Sequence, residues 1–244
     1  MNLILLDSED TLGIFPREDR RYAHILTILR GKVGNTFKAG VVNGPIGILE
    51  VLEISECCIR YRFSPSQEPI PPYPIEVILG AMRPLVARRL LKDLTALGVK
   101  GIHLVSSALC ERSYLKSSLW GKHEYLEYLR EGAEQGGTTI LPTVRLYASV
   151  KDCLSSLQEQ GRNLVMHPEA PKSLWRVQQE REVSRERISL WRVAIGPERG
   201  WTQGEIDLFV ARGFSLCRMG FRVLRTEVAA LLAVGILLEQ WEAG

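Results

Sequence analysis

The strongest constraint in the sequence is an alternation of short apolar segments with helical segments, which starts at residue 75 and continues to the C-terminal helix. Parallel strands need crossover connections, and these are usually helices, so this alternation favours a mostly parallel sheet. The sequence therefore predicts an α/β fold for this part of the chain. The candidate strands are residues 75–82, 101–105, 143–147, 163–167, 191–196 and 214–219.

Capping and breaking residues mark the helix boundaries. Pro84 begins a helix that Gly98 ends, as expected of proline in a first turn and glycine after a last one. Thr202 with Glu205 three residues later forms a capping box. The remaining predicted boundaries are helices at about 117–135 and 149–160, a helix end at Gly213 and a cap at Thr226 for the last helix.

The first 63 residues are mostly strand-like, and a proline-rich run follows them. Residues 65–74 contain five prolines, which disfavour a helix or a central strand and favour a stiff linker. The sequence therefore predicts a small β-barrel at 1–68, a linker at 69–74 and an α/β domain at 75–244. The N-terminal candidate elements are strands at 3–6, 36–42, 46–54 and 58–63 and one helix at about 19–30.

Composition excludes several classes of protein. With 31 Lys and Arg against 28 Asp and Glu the net charge is +3, so any nucleic-acid surface must be local. The longest apolar run, 228–238, is shorter than the ~20 residues of a membrane span, and the N-terminus lacks a basic signal-peptide region. The five cysteines lack a C-x-x-C, and the four histidines lack metal-ligand spacing. We expect a cytoplasmic protein with reduced thiols, no membrane association and no metal.

Two strand–loop–helix junctions are the best candidates for chemistry. They are Ile195–Thr202 and Met219–Glu227, and both contain glycine, which lets the backbone approach a ligand closely. Arg222 and Arg225 precede a helix N-terminus, where an anion is favoured. Ligands of open α/β sheets bind outside the carboxyl ends of the strands, so the two loops predict one pocket. The alternative is that both loops are only tight turns.

Three further segments each have two interpretations. Arg88, Arg89 and Lys92 form a basic stripe with Arg83 before it, which is either a solvated helix face or a phosphate track. The last helix is apolar on nearly all sides and is either buried within one protomer or partly covered by a second subunit. The charged tract 176–187 is a solvated helix face or a loop.

At the two loops the sequence resembles the RsmE-type methyltransferases of the SPOUT superfamily. IGPERGWTQGEI and MGFRVLRTEVAALLA resemble the family signatures IGPEGG…E and LG-x-R-I-L-R-x-E-T-A. Other segments resemble family motifs in the same order along the chain: HILTILRGKVGNTFKAG, LTALGV, ERS at 111–113 and GAEQGGTTILP. Several motifs in the right order are more specific than any one motif alone.

The resemblance implies a SPOUT-type α/β domain with a trefoil knot, an N-terminal PUA-like barrel that binds RNA, and a homodimer. It implies transfer of a methyl group from S-adenosylmethionine to N3 of a uridine in 16S ribosomal RNA of the small subunit. Carried over by residue, it implies cofactor binding by Met166, His167, Pro168, Ile195, Gly196, Pro197, Glu198, Gly200, Met219, Gly220, Val223, Leu224 and Thr226.

Within this resemblance we assign roles to the charged residues as hypotheses. Arg225 or Arg222 supplies positive charge to the anionic base or a phosphate, and Glu198 or Glu227 takes the proton or anchors its loop. The expected RNA contacts are Arg30, Arg83, Arg88, Arg89, Lys92 and Arg112.

Five positions depart from the family pattern. Arg199 replaces a glycine, which can strain the loop or bring a cation to the pocket. The other departures are Asp93, Ala96, Thr138 and Val228. Two alternative functions therefore stay open: another SPOUT methyltransferase, for instance of ribose hydroxyls, and a non-catalytic RNA-binding or ribosome-assembly protein.

Overall fold

The computed structural model describes residues 3–7, 13–158, 161–177 and 189–242. The chain divides into two units, Met1–Pro71 with Arg130–Leu141, and Pro72–Leu129 with Pro142–Gly244. The predicted boundaries differ in that residues 130–141 group with the N-terminal unit. The physical reason is local packing, because Ala133 joins the core around Leu3 and Leu5. The nearly buried Glu134 also accepts two hydrogen bonds from Arg20, at 2.6 and 2.9 Å.

The N-terminal unit is built on a five-stranded sheet. Its strands are β1 (Ile4–Leu6), β2 (Ile14–Pro16), β3 (Thr36–Val41), β4 (Ile46–Ile54) and β5 (Cys58–Gln67), in the order β1-β3-β4-β5-β2. β1 is parallel to β3, and the other neighbours are antiparallel. The single predicted helix is present as α1 (Arg20–Ala23), followed by a π-helical segment (His24–Ile28) whose Ile25 enters the core. The sequence analysis missed β2.

The prolines at the two ends of the proline-rich run lie in strands, and the last two residues of the linker predicted at 69–74 belong to the second of these strands. Pro65 lies in β5 opposite Gly47, in a stretch that β2 does not reach. A strand that is paired on one side only tolerates the missing N–H of proline. Pro74 is the second residue of β6 (Tyr73–Gly80), ahead of the stretch that pairs with β10. The connecting segment is therefore residues 68–72.

The second unit contains a six-stranded sheet whose paired neighbours are all parallel. The strands are β6 with β7 (Val99–Val105), β8 (Thr143–Tyr147), β9 (Arg162–Met166), β10 (Trp191–Ile195) and β11 (Ser215–Cys217), in the order β11-β9-β10-β6-β7-β8. All five side chains of β10 are buried, as expected of a central parallel strand covered on both faces. The α/β prediction is confirmed.

Helices connect these strands and match most predicted boundaries, and one of them runs from the second unit into residues 130–136, which group with the N-terminal unit. They are α2 (Pro84–Ala96), α3 (Ser118–Gly121), α4 (Tyr125–Gly136), α5 (Val150–Ser156), α6 (Gln203–Ala211) and α7 (Thr226–Glu242). The capping box of Thr202 and Glu205 is present. The prediction of one long helix at 117–135 is wrong, because the helix is interrupted between α3 and α4, where His123 has φ 56°. The helix predicted at 149–160 ends at Ser156.

The apolar last helix is buried along one face and exposed along another. Ala230, Val234 and Leu237 are fully buried, whereas Val228 and Leu232 remain nearly half exposed. In the described part of the chain, no helix combines the length and apolarity needed to cross a membrane. Residues 178–187 of the charged tract lie outside the described residues.

Candidate functional site

A cavity of about 850 Å³ lies in the second unit, beside the carboxyl ends of β9 and β10. Three loops line it: 166–168, 195–201 and 218–227 without Phe221. All thirteen residues predicted to bind the cofactor are among the lining residues, and so are Arg222, Arg225 and Glu227. Side chains from the start of α2 and from α7 complete the wall: Arg83, Val86 and Ala229.

The loop after β10 contains a tight turn whose conformation depends on glycine. The N–H of Gly200 donates to the Pro197 carbonyl at 2.8 Å, and Gly200 has φ +75°. A Cβ on Gly196 would lie 3.0 Å from the Gly200 backbone. A Cβ on Gly80, at the end of β6, would lie 2.3 Å from the Pro197 ring. Sequence analysis missed Gly80, although a glycine ending a buried strand is a signal of close backbone approach.

The loops after β10 and β11 are joined by a side-chain hydrogen bond. The Thr226 hydroxyl donates to the Gly196 carbonyl at 3.1 Å. The prediction that Thr226 caps the last helix is wrong, since Thr226 is its first residue and the Ala229 N–H donates to the Arg225 carbonyl at 2.9 Å. The Thr226 hydroxyl instead provides a hydrogen-bond partner for the Gly196 carbonyl in the neighbouring loop.

Arg218, which sequence analysis did not select, joins the loop after β9 to the loop after β11. Its Nη1 donates to the carbonyls of Ala170 and Pro171. Its backbone N–H donates to the Lys172 carbonyl at 2.9 Å, and its own carbonyl accepts from Leu174 N–H at 2.8 Å. The available signal was an arginine at the carboxyl end of a candidate strand, immediately before a predicted ligand loop.

Arginines outnumber carboxylates around the cavity. Five arginines line it against two glutamates, Glu198 and Glu227; the arginines are Arg83, Arg199, Arg218, Arg222 and Arg225. Arg222 and Arg225 are exposed at the start of α7. This distribution gives the cavity a positive mouth that favours an anionic ligand.

The Arg83 side chain connects the start of α2 with two other segments. Hydrogen bonding with Tyr114 and the negative charge of Glu198 raise the pKa of the exposed Arg83 guanidinium above its ordinary value. Sequence analysis missed Tyr114, which follows directly after the ERS motif. Arg112 of that motif is exposed and does not line the cavity.

The basic stripe on α2 is not uniform, and none of its three residues lines the cavity. The guanidinium of Arg88 is paired with Glu124 at 3.2 Å and lies 5.6 Å from the centre of the Tyr128 ring. Arg89 is exposed and Lys92 is half-buried. Of the expected RNA contacts in this unit, only Arg83 lies at the cavity. The remaining one, Arg30, belongs to the N-terminal unit, where it is exposed with φ 50°.

Arg199 sits at the rim without the backbone strain that its replacement of a glycine suggested. Positive φ among the described non-glycine residues is found at Arg30, Asn43 and His123, and Arg199 is not one of them. Its side chain is exposed and lines the cavity. The possibility of loop strain is therefore wrong, and the other possibility, a cation brought to the pocket, agrees with the position of this side chain.

The inner wall of the cavity is apolar. Met166, Ile195 and Trp201 are buried there, and the Trp201 ring packs on Phe209 with ring centres 5.1 Å apart. An apolar interior with a positively charged mouth suits a ligand that has an apolar part and lies next to a polyanion. Glu198 and Glu227 are the carboxylates that face this space.

A family model for the RNA methyltransferase domain matches residues 69–238. The ribosomal RNA small subunit methyltransferase E of Treponema pallidum is 34% identical over 243 residues, covering 98% of this chain and 91% of that protein. The methyltransferase E 1 of Borreliella burgdorferi is 27% identical, covering 96% and 95%.

Solved structures agree with this match at the level of the fold. The Neisseria gonorrhoeae methyltransferase E bound to S-adenosyl methionine has a TM-score of 0.78 at 21% identity, covering 99% of this chain and 98% of that one. A Legionella pneumophila structure in complex with the cofactor SAM has a TM-score of 0.81 at 20% identity, covering 98% of each chain. The family model and the Treponema relative together span nearly the whole sequence, and the chain belongs to the RNA methyltransferase family.

Proposed function

We propose that this protein transfers a methyl group from S-adenosylmethionine to N3 of a uridine in 16S ribosomal RNA. One observation carries this proposal. The three loops that follow β9, β10 and β11 converge on one cavity, and arginines surround its mouth. The two curated relatives named as small-subunit ribosomal RNA methyltransferases support the substrate class.

The residues around the cavity fit S-adenosylmethionine. The cavity volume of about 850 Å³ is in the range of small-molecule sites. A Cβ built on Gly200 or Gly220 would meet nothing within 4 Å, so both glycines leave open space along the backbone. Met166 and Ile195 offer an apolar wall for the adenine, and the carboxylates of Glu198 and Glu227 favour a cation. When bound, the cofactor supplies a methyl group attached to a positively charged sulfur.

The arginines are suited to the chemistry of the acceptor. N3 of uracil carries a proton at neutral pH, so the ring becomes anionic when that proton leaves. Arg225 stabilises the negative charge on the base, with Arg222 as the alternative or as a phosphate ligand. Glu198 or Glu227 accepts the proton, or anchors its loop. The loops after β10 and β11 hold these groups in place, which lowers the entropic cost of alignment.

We further propose an RNA path that starts at the cavity mouth. Arg83 and Arg199 contact phosphates next to the methylated nucleotide, and Arg89, Lys92 and Arg112 extend this contact. Arg88 contributes less than predicted, since its charge is paired with Glu124. Arg30 of the N-terminal unit, which we propose to be a PUA-like barrel, binds RNA as well. Its mixed five-stranded sheet with a single short helical segment supports that assignment.

We also propose the trefoil knot and a homodimer of SPOUT type. In the sheet β9 lies between β11 and β10, and this strand order supports the knot. The nearly half-exposed Val228 and Leu232, one turn apart on α7, support a subunit contact along that face. We place the protein in the cytoplasm with its ribosomal RNA substrate, and we expect no metal in the reaction.

Calorimetry with S-adenosylmethionine, followed by methylation of 16S RNA, tests the proposal. We expect saturable binding of one cofactor per chain and methyl transfer to RNA. Cofactor binding with transfer to a ribose hydroxyl would favour another SPOUT methyltransferase. RNA binding without any cofactor binding would favour a non-catalytic RNA-binding or ribosome-assembly protein, with the Arg199 cation opposing the sulfonium.

A further inference from the structure

The aromatic ring of Phe221 is almost fully exposed to solvent. Its side chain is 94% accessible, the highest value among the large exposed apolar residues of the described chain. Phe221 lies in the loop after β11, between Gly220 and Arg222, and both of these neighbours line the cavity. Covering a phenyl ring removes apolar surface from water, so the Phe221 ring offers favourable contact area to a ligand at the edge of the cavity.

One face of this ring is already supported by Arg218. The Cζ atom of Arg218 lies 5.1 Å from the centre of the Phe221 ring. The guanidinium is itself held by the carbonyls of Ala170 and Pro171, so it does not move freely. A cation over one face of an aromatic ring fixes the orientation of the ring and leaves the opposite face open.

The surroundings of the ring are positively charged. Arg222 follows Phe221 directly, and Arg225 lies three residues further along the same loop. Both side chains are exposed at the cavity mouth. An aromatic ring among arginines is the usual arrangement for single-stranded nucleic acid, in which bases stack on the ring while cations contact the phosphates.

We propose that Phe221 is a stacking platform for a nucleobase of the substrate RNA adjacent to the methylated one. Its backbone neighbours line the cavity but its own ring does not, which places the ring at the rim, outside the space for the reacting base. This inference rests on the proposed function. It adds a positioning residue, because a base stacked on Phe221 fixes the RNA beside the residues that carry out transfer.

The test compares three substitutions of Phe221 in the full-length protein. Phe221→Ala removes the ring, Phe221→Leu keeps an apolar side chain without an aromatic face, and Phe221→Trp keeps the aromatic face. We expect the alanine and leucine variants to raise KM for RNA roughly 5- to 150-fold, the range of one lost base stack. We expect the tryptophan variant to retain the KM, and all three to bind S-adenosylmethionine like the unmodified protein.

Two further measurements separate stacking from other roles. The tryptophan of the Phe221→Trp variant is expected to be quenched by short uridine-containing RNA, above the change shown by the five native tryptophans. Once the methylated nucleotide is mapped, an abasic site beside it should raise KM for the unmodified protein and cause little additional loss with Phe221→Ala.

Several results would overturn the inference. One such result is that Phe221→Ala raises the KM for RNA and loses the dimer in light scattering, while Phe221→Leu behaves like the unmodified protein. This result would assign Phe221 to a subunit contact. An unchanged KM for Phe221→Ala would exclude stacking while leaving the proposed function intact. Failure of the unmodified protein to bind the cofactor or methylate RNA would instead refute the proposed function itself.

Discussion

The hydroxyl of Thr226 and the carbonyl oxygen of Gly196 lie 3.1 Å apart in a hydrogen bond between the two loops that form most of the cavity. These residues are thirty positions apart in the sequence, and Thr226 is buried at the start of α7. This bond couples the loop after β10 to the arginine-bearing loop after β11. We therefore predict that a change at this contact affects both loops together.

Replacing Thr226 with valine tests this coupling. Thr226→Val keeps the shape but leaves the Gly196 carbonyl without this donor, which costs about 1–3 kcal/mol of stability. We expect the affinity for S-adenosylmethionine, measured by calorimetry, to fall at least threefold. Thr95→Val is the control, since buried Thr95 donates only within α2, to the Leu91 carbonyl at 2.7 Å. Native cofactor affinity in Thr226→Val would refute the coupling.

Arg225 is the residue that we expect to matter most for transfer. Arg225→Ala should lower kcat roughly 100- to 1,000-fold, the usual effect of removing one group that stabilises a developing negative charge. The cofactor dissociation constant and the melting temperature should stay close to those of the unmodified protein. Arg145→Ala, an exposed arginine on β8 away from the cavity, serves as control. Full turnover by Arg225→Ala would discard this assignment and shift it to Arg222.

Arg199 should help RNA binding and hinder cofactor binding. Arg199→Gly removes one of the five cavity arginines, so the dependence of RNA affinity on salt should weaken by about 0.7 in its logarithmic slope. S-adenosylmethionine should bind equally well or a few-fold more tightly, because its sulfonium meets less positive charge. Weaker cofactor binding with an unchanged salt slope would show the opposite role. Arg212→Gly, at an exposed position outside the cavity, controls for loss of charge alone.

Local signals in the sequence predicted elements of both units. The bounds of β8 and of β4 agree with the predicted strands, and the capping box of Thr202 and Glu205 is present, because each depends on residues a few positions apart. The two glycine-containing loops were also recognisable, since each joins a strand to a helix and the first leads from buried β10 to the capped α6. Their placement around one cavity follows from the parallel sheet, in which the carboxyl ends of neighbouring strands meet at one edge.

Features that depend on distant residues were not predictable. The grouping of residues 130–141 with the N-terminal unit involves the pairing of Glu134 with Arg20, which lies 114 residues away. Arg218 was missed because its role comes from the carbonyls of Ala170 and Pro171, in another loop. The short β2 has no periodicity long enough to distinguish it from a loop.

The lowered pKa of Glu76 predicts that the protein loses stability in acid. Burial raises the pKa of the Glu76 carboxyl, but nearby His103, 3.6 Å away, and Arg192, whose Nε donates to the carboxylate at 2.8 Å, outweigh this and lower the pKa to about 2. A lowered pKa means that stability is present above the ordinary value near 4.5 and is lost as the pH falls towards 2. The full shift corresponds to about 3 kcal/mol, and solvent screening of this partly exposed carboxylate lowers the contribution to roughly 2 kcal/mol.

Urea unfolding at several pH values measures this contribution. Glu76→Gln should flatten the change in unfolding free energy between pH 4.5 and 2. It should also lower stability at pH 7, because Arg192, which is 2% exposed, loses its carboxylate at 2.8 Å. An acid dependence identical to that of the unmodified protein would place the stabilising charge elsewhere.

The cysteines should differ sharply in reactivity. Hydrogen bonds with Ser55 and Cys58 lower the pKa of the exposed Cys57 thiol, whereas burial raises the pKa of Cys153 and of Cys217 to about 12. At pH 8, iodoacetamide should modify Cys57 first and the two buried thiols only in urea. Peptide mass mapping follows each site over time. Early modification of Cys153 in the native protein would contradict the burial described here.

Mass mapping of 16S ribosomal RNA tests the central claim most directly. RNA from cells that lack this protein is compared with RNA from cells that regain it either unmodified or as Arg225→Ala. We expect one 3-methyluridine to be absent without the protein, to return with the unmodified chain and not to return with the variant. The same 3-methyluridine in all three RNAs, or a missing ribose methyl group instead, would contradict the central claim.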